Sequence, residues 1–181
     1  MGRTDAMLPR LKTPCERSLP GASLALALIL VSSSTLAQRG AEAAVGPFTG
    51  LNGSWSGGGT ITFNKGDRER IRCRSNYETY GNGNAVRLEL RCASDSYRFE
   101  LRSNVINTPG GLSGQWTEET RNAAGTVSGR VTGDHIEALV DGAGFSANVG
   151  VTTRGDRQSV TIRTLGESGS QVAITLTRGA R

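Results

Sequence analysis

The sequence predicts an all-β fold: an antiparallel meander of about eight to ten strands forming an up-and-down barrel or half-barrel. Three observations predict it. No segment beyond residue 50 carries a helical period, whereas short alternating apolar and polar runs recur to the end of the chain. Clusters of Gly, Asn, Asp and Ser separate those runs. The connections are too short for crossovers, so successive strands pair as antiparallel neighbours. Closing the meander removes the bare edges that invite aggregation. A two-sheet sandwich is the alternative arrangement of the same strands.

The first 37 residues read as a signal peptide and not as part of that domain. Arg3, Arg10, Lys12 and Arg17 form a basic region, residues 24–31 an apolar run, and residues 32–37 a small-residue exit. The apolar run is too short for a stable membrane span. Cleavage is expected after Ala37, with Ala41-Glu42-Ala43 as a second site and Met7 as an alternative start. A buried N-terminal helix is the competing reading of this segment. No Arg-Arg pair precedes the run and no Cys follows it, which argues against twin-arginine export and a lipoprotein anchor. The expectation is a periplasmic or secreted protein with no transmembrane segment after signal cleavage. Residues 38–50 read as a linker, and 51–181 as the barrel-like domain.

Strands are expected at 53–64, 68–79, 85–93, 96–105, 112–121, 125–132, 135–141, 144–153, 157–165 and 170–178. The first holds Gly57-Gly58-Gly59, which suits a sharp bend in a small closed sheet. The second and third flank Gly81-Asn82-Gly83-Asn84, and Asn-Gly is the strongest short hairpin signal. Folding the chain about the Asn82/Gly83 midpoint sets Thr79 against Val86, Tyr77 against Leu88, Ser75 against Leu90 and Cys73 against Cys92. Turn chemistry and cysteine spacing thus give one register, which predicts a Cys73–Cys92 disulfide. A two-residue loop makes this a hydrogen-bonded pair; a four-residue loop over 81–84 keeps the register and changes the pair type. Cys15 leaves with the signal, and the even count of two suits an oxidising compartment.

The same register puts Ile71, Tyr77, Val86, Leu88 and Leu90 on the core face, and Arg70, Arg72, Arg74, Glu78, Arg87, Glu89 and Arg91 outside. In the fourth strand Tyr97, Phe99 and Leu101 alternate with Arg98, Glu100 and Arg102. Later strands place Trp116, Val131, Ile136, Phe145, Val149, Val160, Ile162, Val172, Ile174 and Leu176 in the core, beside Trp55, Ile61 and Phe63 of the first. Large aromatics are few, so either the barrel is flattened or it keeps an interior cavity. The charged outer face argues against an outer-membrane barrel.

One constellation on the outer face suggests a ligand. With Ser94-Asp95 as the next turn centre, Arg98 faces Arg91, which already faces Arg74. Like charges directly opposite are destabilising, and a bound oxyanion would relieve three guanidinium groups in a row. The plainer reading is that Glu78, Glu89 and Glu100 neutralise the row through diagonal contacts, or that the register differs.

Signal removal takes away four basic and two acidic residues and lowers the formal charge from +5 to +3, too mild to argue for nucleic acid. His135 is the only histidine and the two remaining cysteines are expected to be bonded, so no cofactor or metal site is predicted. Glu118 and Glu119 are adjacent on a strand and point to opposite faces, which prevents an acid–base pair. No nucleophile elbow or phosphate loop appears, and the chain reads as a non-enzyme.

Two resemblances add to this. Gly53-Ser54-Trp55 resembles the Gly-x-Trp that opens lipocalins, where the Trp closes one end of the barrel against a late Arg; Arg178 stands in that place. Gly114-Gln115-Trp116 repeats the spacing, and the plainer reading of both is a core tryptophan in a glycine-rich strand. Residues 53–61, 69–74, 90–101, 114–125 and 152–160 resemble a group of small exported alphaproteobacterial proteins of the rhizobia type without assigned function. That resemblance implies a periplasmic or secreted location and transfers no site residue. The function expected is an exported cell-envelope binding module for a small apolar or anionic ligand. The alternative is a structural or protein-interaction component of the envelope.

Overall fold

The computed structural model describes residues 45–166 and 169–179. The expected signal peptide lies outside the described residues. The strands are β1 (Gly53–Thr62), β2 (Arg68–Tyr80), β3 (Ala85–Ala93), β4 (Arg98–Thr108), β5 (Gly111–Glu118), β6 (Ala123–Thr132), β7 (His135–Gly142), β8 (Phe145–Arg154), β9 (Arg157–Thr164) and β10 (Gln171–Arg178). Each pairs antiparallel with the next, and β10 pairs with β1, so the sheet is a closed ten-stranded barrel. All ten expected strands are present, and the sandwich is excluded. No helix among the described residues is long and apolar enough to cross a membrane.

Closure depends on how tightly β1 approaches β10. A Cβ on Gly59 would stand 1.8 Å from the Ala173 carbonyl oxygen, and one on Gly57 would stand 2.0 Å from that of Thr175. Only glycine permits that seam.

The β2–β3 register is the one turn chemistry gives: Cys73 opposite Cys92 and Arg74 opposite Arg91. The loop is the four-residue form, with Tyr80 paired to Ala85 and positive φ at Gly81, Asn82 and Gly83. Cys73 and Cys92 form a disulfide with Cα atoms 4.1 Å apart, matching the closer class of antiparallel pair. Both cysteines are buried in the core.

The β3–β4 register differs from expectation. Arg91 faces Glu100, and Arg98 faces Ala93. The turn holds four residues, with the Ser94 N–H donating to the Tyr97 carbonyl at 2.8 Å. Glu69 holds this turn from β2 by accepting from the Ser94 hydroxyl at 2.7 Å and from the Ser96 hydroxyl. Those hydroxyls, Ser96 first, keep its carboxyl below the usual range.

Residues 45–50 are not a linker. Gly46 and Phe48 donate backbone N–H groups to the Asn82 and Gly83 carbonyls at 2.8 and 2.9 Å, and the Phe48 side chain is buried. Together with the 3-10 turn Thr49–Leu51 they form a plug over one end of the barrel. Phe48 is an apolar anchor that a glycine-rich approach segment disguises in the sequence.

Burial is uneven around the interior. Phe48, Leu51, Trp55, Ile61, Ile71, Tyr77, Ile174 and Leu176 make a fully buried cluster on the β10–β1–β2 side. Along β6 to β9 Val127 and Ala147 are buried, but the inward aliphatics Val131, Ile136, Val140, Val149, Val151, Val160 and Ile162 are only half-buried.

Candidate functional site

Two concavities collect the chemistry of this barrel, one at the plugged end and one on the outer wall. The first is a cavity of about 290 Å³ between the plug and the β6–β7 and β8–β9 turns. Leu51, Val131 and Ile136 give it apolar walls, while Thr153, Asp134, Asp156 and Arg178 stand at its edges. Val131 and Ile136 are paired across β6 and β7, point inward and are half-buried, so the cavity takes in the near end of the half-buried aliphatic wall.

Arg178 fixes the plug beside this cavity. Its position opposite Trp55 follows from the β1–β10 pairing. The guanidinium lies 4.3 Å from the Trp55 ring centroid, within cation–π reach. It also donates to the Asn52 and Gly50 carbonyls and, at 2.9 Å, to Asp156 Oδ1. Trp55 Nε1 donates to the Leu51 carbonyl at 2.8 Å, and its ring meets Tyr77 edge-on at 6.4 Å. Trp55 is thus a core tryptophan that also stacks with Arg178 at the plugged end. Trp116 packs edge-on to Phe145 at 5.9 Å and donates to the Asp141 carbonyl.

A short polar track runs inside the same end. The Tyr77 hydroxyl donates to Gln158 Oε1 at 2.9 Å, and Gln158 Nε2 donates to Thr153 Oγ1 at 3.0 Å. Thr153 lines the cavity, so the track connects it to the barrel interior. Burial pushes the Tyr77 phenol up to about 12, against the opposing effect of its bond to Gln158. The phenol stays protonated at physiological pH and acts as a donor. His135 is away from this track, with Nδ1 2.8 Å from Thr152 Oγ1.

The second concavity, about 590 Å³, lies on the outer wall across β1 to β4. Arg72, Arg74, Arg91 and Arg98 border it, with Glu100 as its acid. The structure therefore brings Arg74, Arg91 and Arg98 to one surface but not into one row. Arg74 and Arg91 are cross-strand partners, Arg98 is displaced toward the four-residue turn, and Arg91 bridges Glu100 at 3.5 Å. Arg72 was not among the residues the sequence singled out as an anion ligand; its alternation with Arg74 on β2 was the signal for it.

Glu118 does more than point away from Glu119. Its carboxylate accepts the N–H groups of Glu100, Thr120 and Arg121 at 3.1, 3.1 and 2.9 Å and the Thr120 hydroxyl. Burial opposes its ionisation, but these bonds prevail and hold the carboxyl down to about 2. It is a structural clamp on the β5–β6 turn. Glu119 pairs outside with Arg102.

No family model matches the chain, and no curated protein matches it. Solved structures do. The chain is similar to Rv2717c from M. tuberculosis, at 14% identity and a TM-score of 0.56, over 73% of this chain and 94% of that one. It is also similar to the S-type phycobiliprotein lyase CPES from Guillardia theta, at 11% identity and a TM-score of 0.52, over 74% of this chain and 91% of that one. At these identities the likeness is one of fold.

Proposed function

We propose that this barrel is a binding module that takes a small apolar or amphipathic molecule in its interior, entering by the cavity at the plugged end. The observation that carries the reading is the cavity itself, whose walls include the half-buried inward side chains Val131 and Ile136. Val131 and Ile136 pack against the core cluster yet stay half-buried, whereas Ile174 and Leu176 across the barrel are fully buried. Apolar walls with few polar groups at one end are the usual composition of a small-molecule site. Thr153, held in place by Gln158, and Asp134 and Arg178 at the cavity edge supply the polar groups that would orient a ligand head. The same fold in a phycobiliprotein lyase supports a small-molecule role without deciding between carriage and catalysis. Export through the N-terminal segment and a periplasmic or secreted location belong to this proposal, supported by the basic, apolar and small-residue order of residues 1–37 and by the disulfide.

Titration with the neutral fluorophore N-phenyl-1-naphthylamine tests the interior, with native mass spectrometry of protein recovered without refolding. Saturable binding is expected, and Val131→Trp should weaken it about tenfold by filling the entrance. Equal binding by a folded Val131→Trp variant, or neither binding nor a retained adduct in the wild type, would refute the proposal.

A further inference from the structure

The outward face of β2 carries arginine at each of its first four positions: Arg68, Arg70, Arg72 and Arg74. Alternate residues of a strand share a face at a spacing of about 6.6 Å, so these positions form a line of about 20 Å. Opposite them on β1 stand Thr62, Thr60, Gly58 and Ser56, all small and uncharged. On the other flank Arg74 meets Arg91, and Arg72 meets Ala93, whose next neighbour is Arg98. Among the described residues, Arg68, Arg70, Arg72, Arg74 and Arg98 have no carboxylate within ion-pair distance. Arg91 has Glu100 at 3.5 Å. Elsewhere on the barrel Arg87, Arg102, Arg121, Arg130, Arg154 and Arg178 each pair with an acid, while Arg157 and Arg163 on β9 do not pair with one among the described residues. The diagonal neutralisation that alternating charges would give is therefore absent along the β2 line, where four unpaired arginines follow one another on one face. Unrelieved like charges on neighbouring strands disfavour each other, and an external anion removes that cost.

The geometry selects among anions. A line of cations about 20 Å long, of which Arg72 and Arg74 border the concavity, matches a chain-like polymer that follows the strand. Among the described residues the outward positions of this line hold no aromatic ring, Phe99 beside the concavity packs against the core, and Tyr97 at its margin is covered by the Arg121 guanidinium, 4.3 Å from the ring centroid. Beside the arginines, β1 and β10 present outward hydroxyls at Ser56, Thr60, Thr62 and Thr177. Guanidinium forks alongside neutral hydroxyls complement a polymer with carboxylates or sulfates set among sugar hydroxyls. We infer that the outer wall across β1 to β4 binds an acidic polysaccharide. The site is independent of the interior cavity.

Fluorescence anisotropy with labelled polygalacturonate and heparin oligosaccharides tests this at about 50 mM and about 300 mM salt. Binding is expected at the lower salt, weakened at least about tenfold at the higher. The triple variant Arg70→Ser, Arg72→Ser, Arg74→Ser should lose about tenfold in affinity while keeping the wild-type melting temperature within a few degrees. A control triple, Arg130→Ser, Arg157→Ser, Arg163→Ser, makes the same change in net charge on other strands. It should stay within about twofold of the wild type. The inference fails if the control loses as much as the β2 triple, since net charge alone would then explain binding. It also fails if oligo-dT or anionic vesicles bind as tightly as both glycans, or if neither glycan binds.

Discussion

Replacing Glu118 by Gln removes a charge from a ring of donors. The carboxylate, 4% exposed, accepts three backbone N–H groups and a hydroxyl at the β5–β6 turn. An amide keeps one accepting oxygen and turns its NH₂ toward donors that need acceptors. Burial raises the carboxyl pKa, and the bonds lower it further than that, from an ordinary 4.5 to about 2. The difference corresponds to roughly 3 kcal/mol of folding stability at neutral pH. Because the folded pKa lies below the unfolded one, this contribution is complete above about 4.5 and is lost as pH falls through about 2. Urea unfolding followed by tryptophan emission, at intervals from pH 7 down to pH 2, measures it for wild type and variant. The variant should be about 3 kcal/mol less stable at pH 7, with the gap closing in acid. A gap below about 0.5 kcal/mol at pH 7, or one that does not change between pH 5 and pH 2, would show that the donors bind water as well as they bind Glu118.

Two further perturbations address the frame around the sites. Reducing Cys73–Cys92, or replacing both by Ala, frees a loop with a sequence separation of 19 and should cost about 3 kcal/mol in urea, with the far-ultraviolet spectrum of the folded state retained. Arg178→Met keeps bulk over Trp55 but removes the stacked charge and the donors to Asn52 and Gly50. It should cost about 3 kcal/mol and shift Trp55 emission to longer wavelength as the plug loosens; unchanged emission would mean that Phe48 alone holds the plug.

What the sequence discloses here is mostly local. Ten strands show through their period of two and the glycine-rich breaks between them. The β2–β3 register is legible because Asn82-Gly83 and the two cysteines restrict it from opposite ends. The β3–β4 register is not, because Ser94-Asp95-Ser96-Tyr97 serves a two-residue or a four-residue turn equally well. The deciding contact comes from Glu69 on another strand. That two-residue difference changes which charges meet, so an exposed arginine lattice cannot be sorted into paired and unpaired members before the register is known. The plug was hidden for a related reason: Gly46 and Phe48 carry no periodicity, and their burial depends on a hairpin tip far along the chain. Interior volume is likewise a property of closure. Val149 and Ile162 look like core in the sequence, and only the ten-strand circumference leaves them half-buried.

The glycine seam has a kinetic meaning as well. It joins the first strand of the barrel to the last. A chain emerging in order completes nine strands while β1, already paired with β2, still lacks β10 on its other side, so the decisive contact is also the least local one. Contacts of that kind form late and slowly. Until they form, β1 and β9 each show a bare edge open to pairing with other chains. The last eight residues of the sheet thus act as a latch, and the time between synthesis and latching is when this protein is most exposed to misassembly.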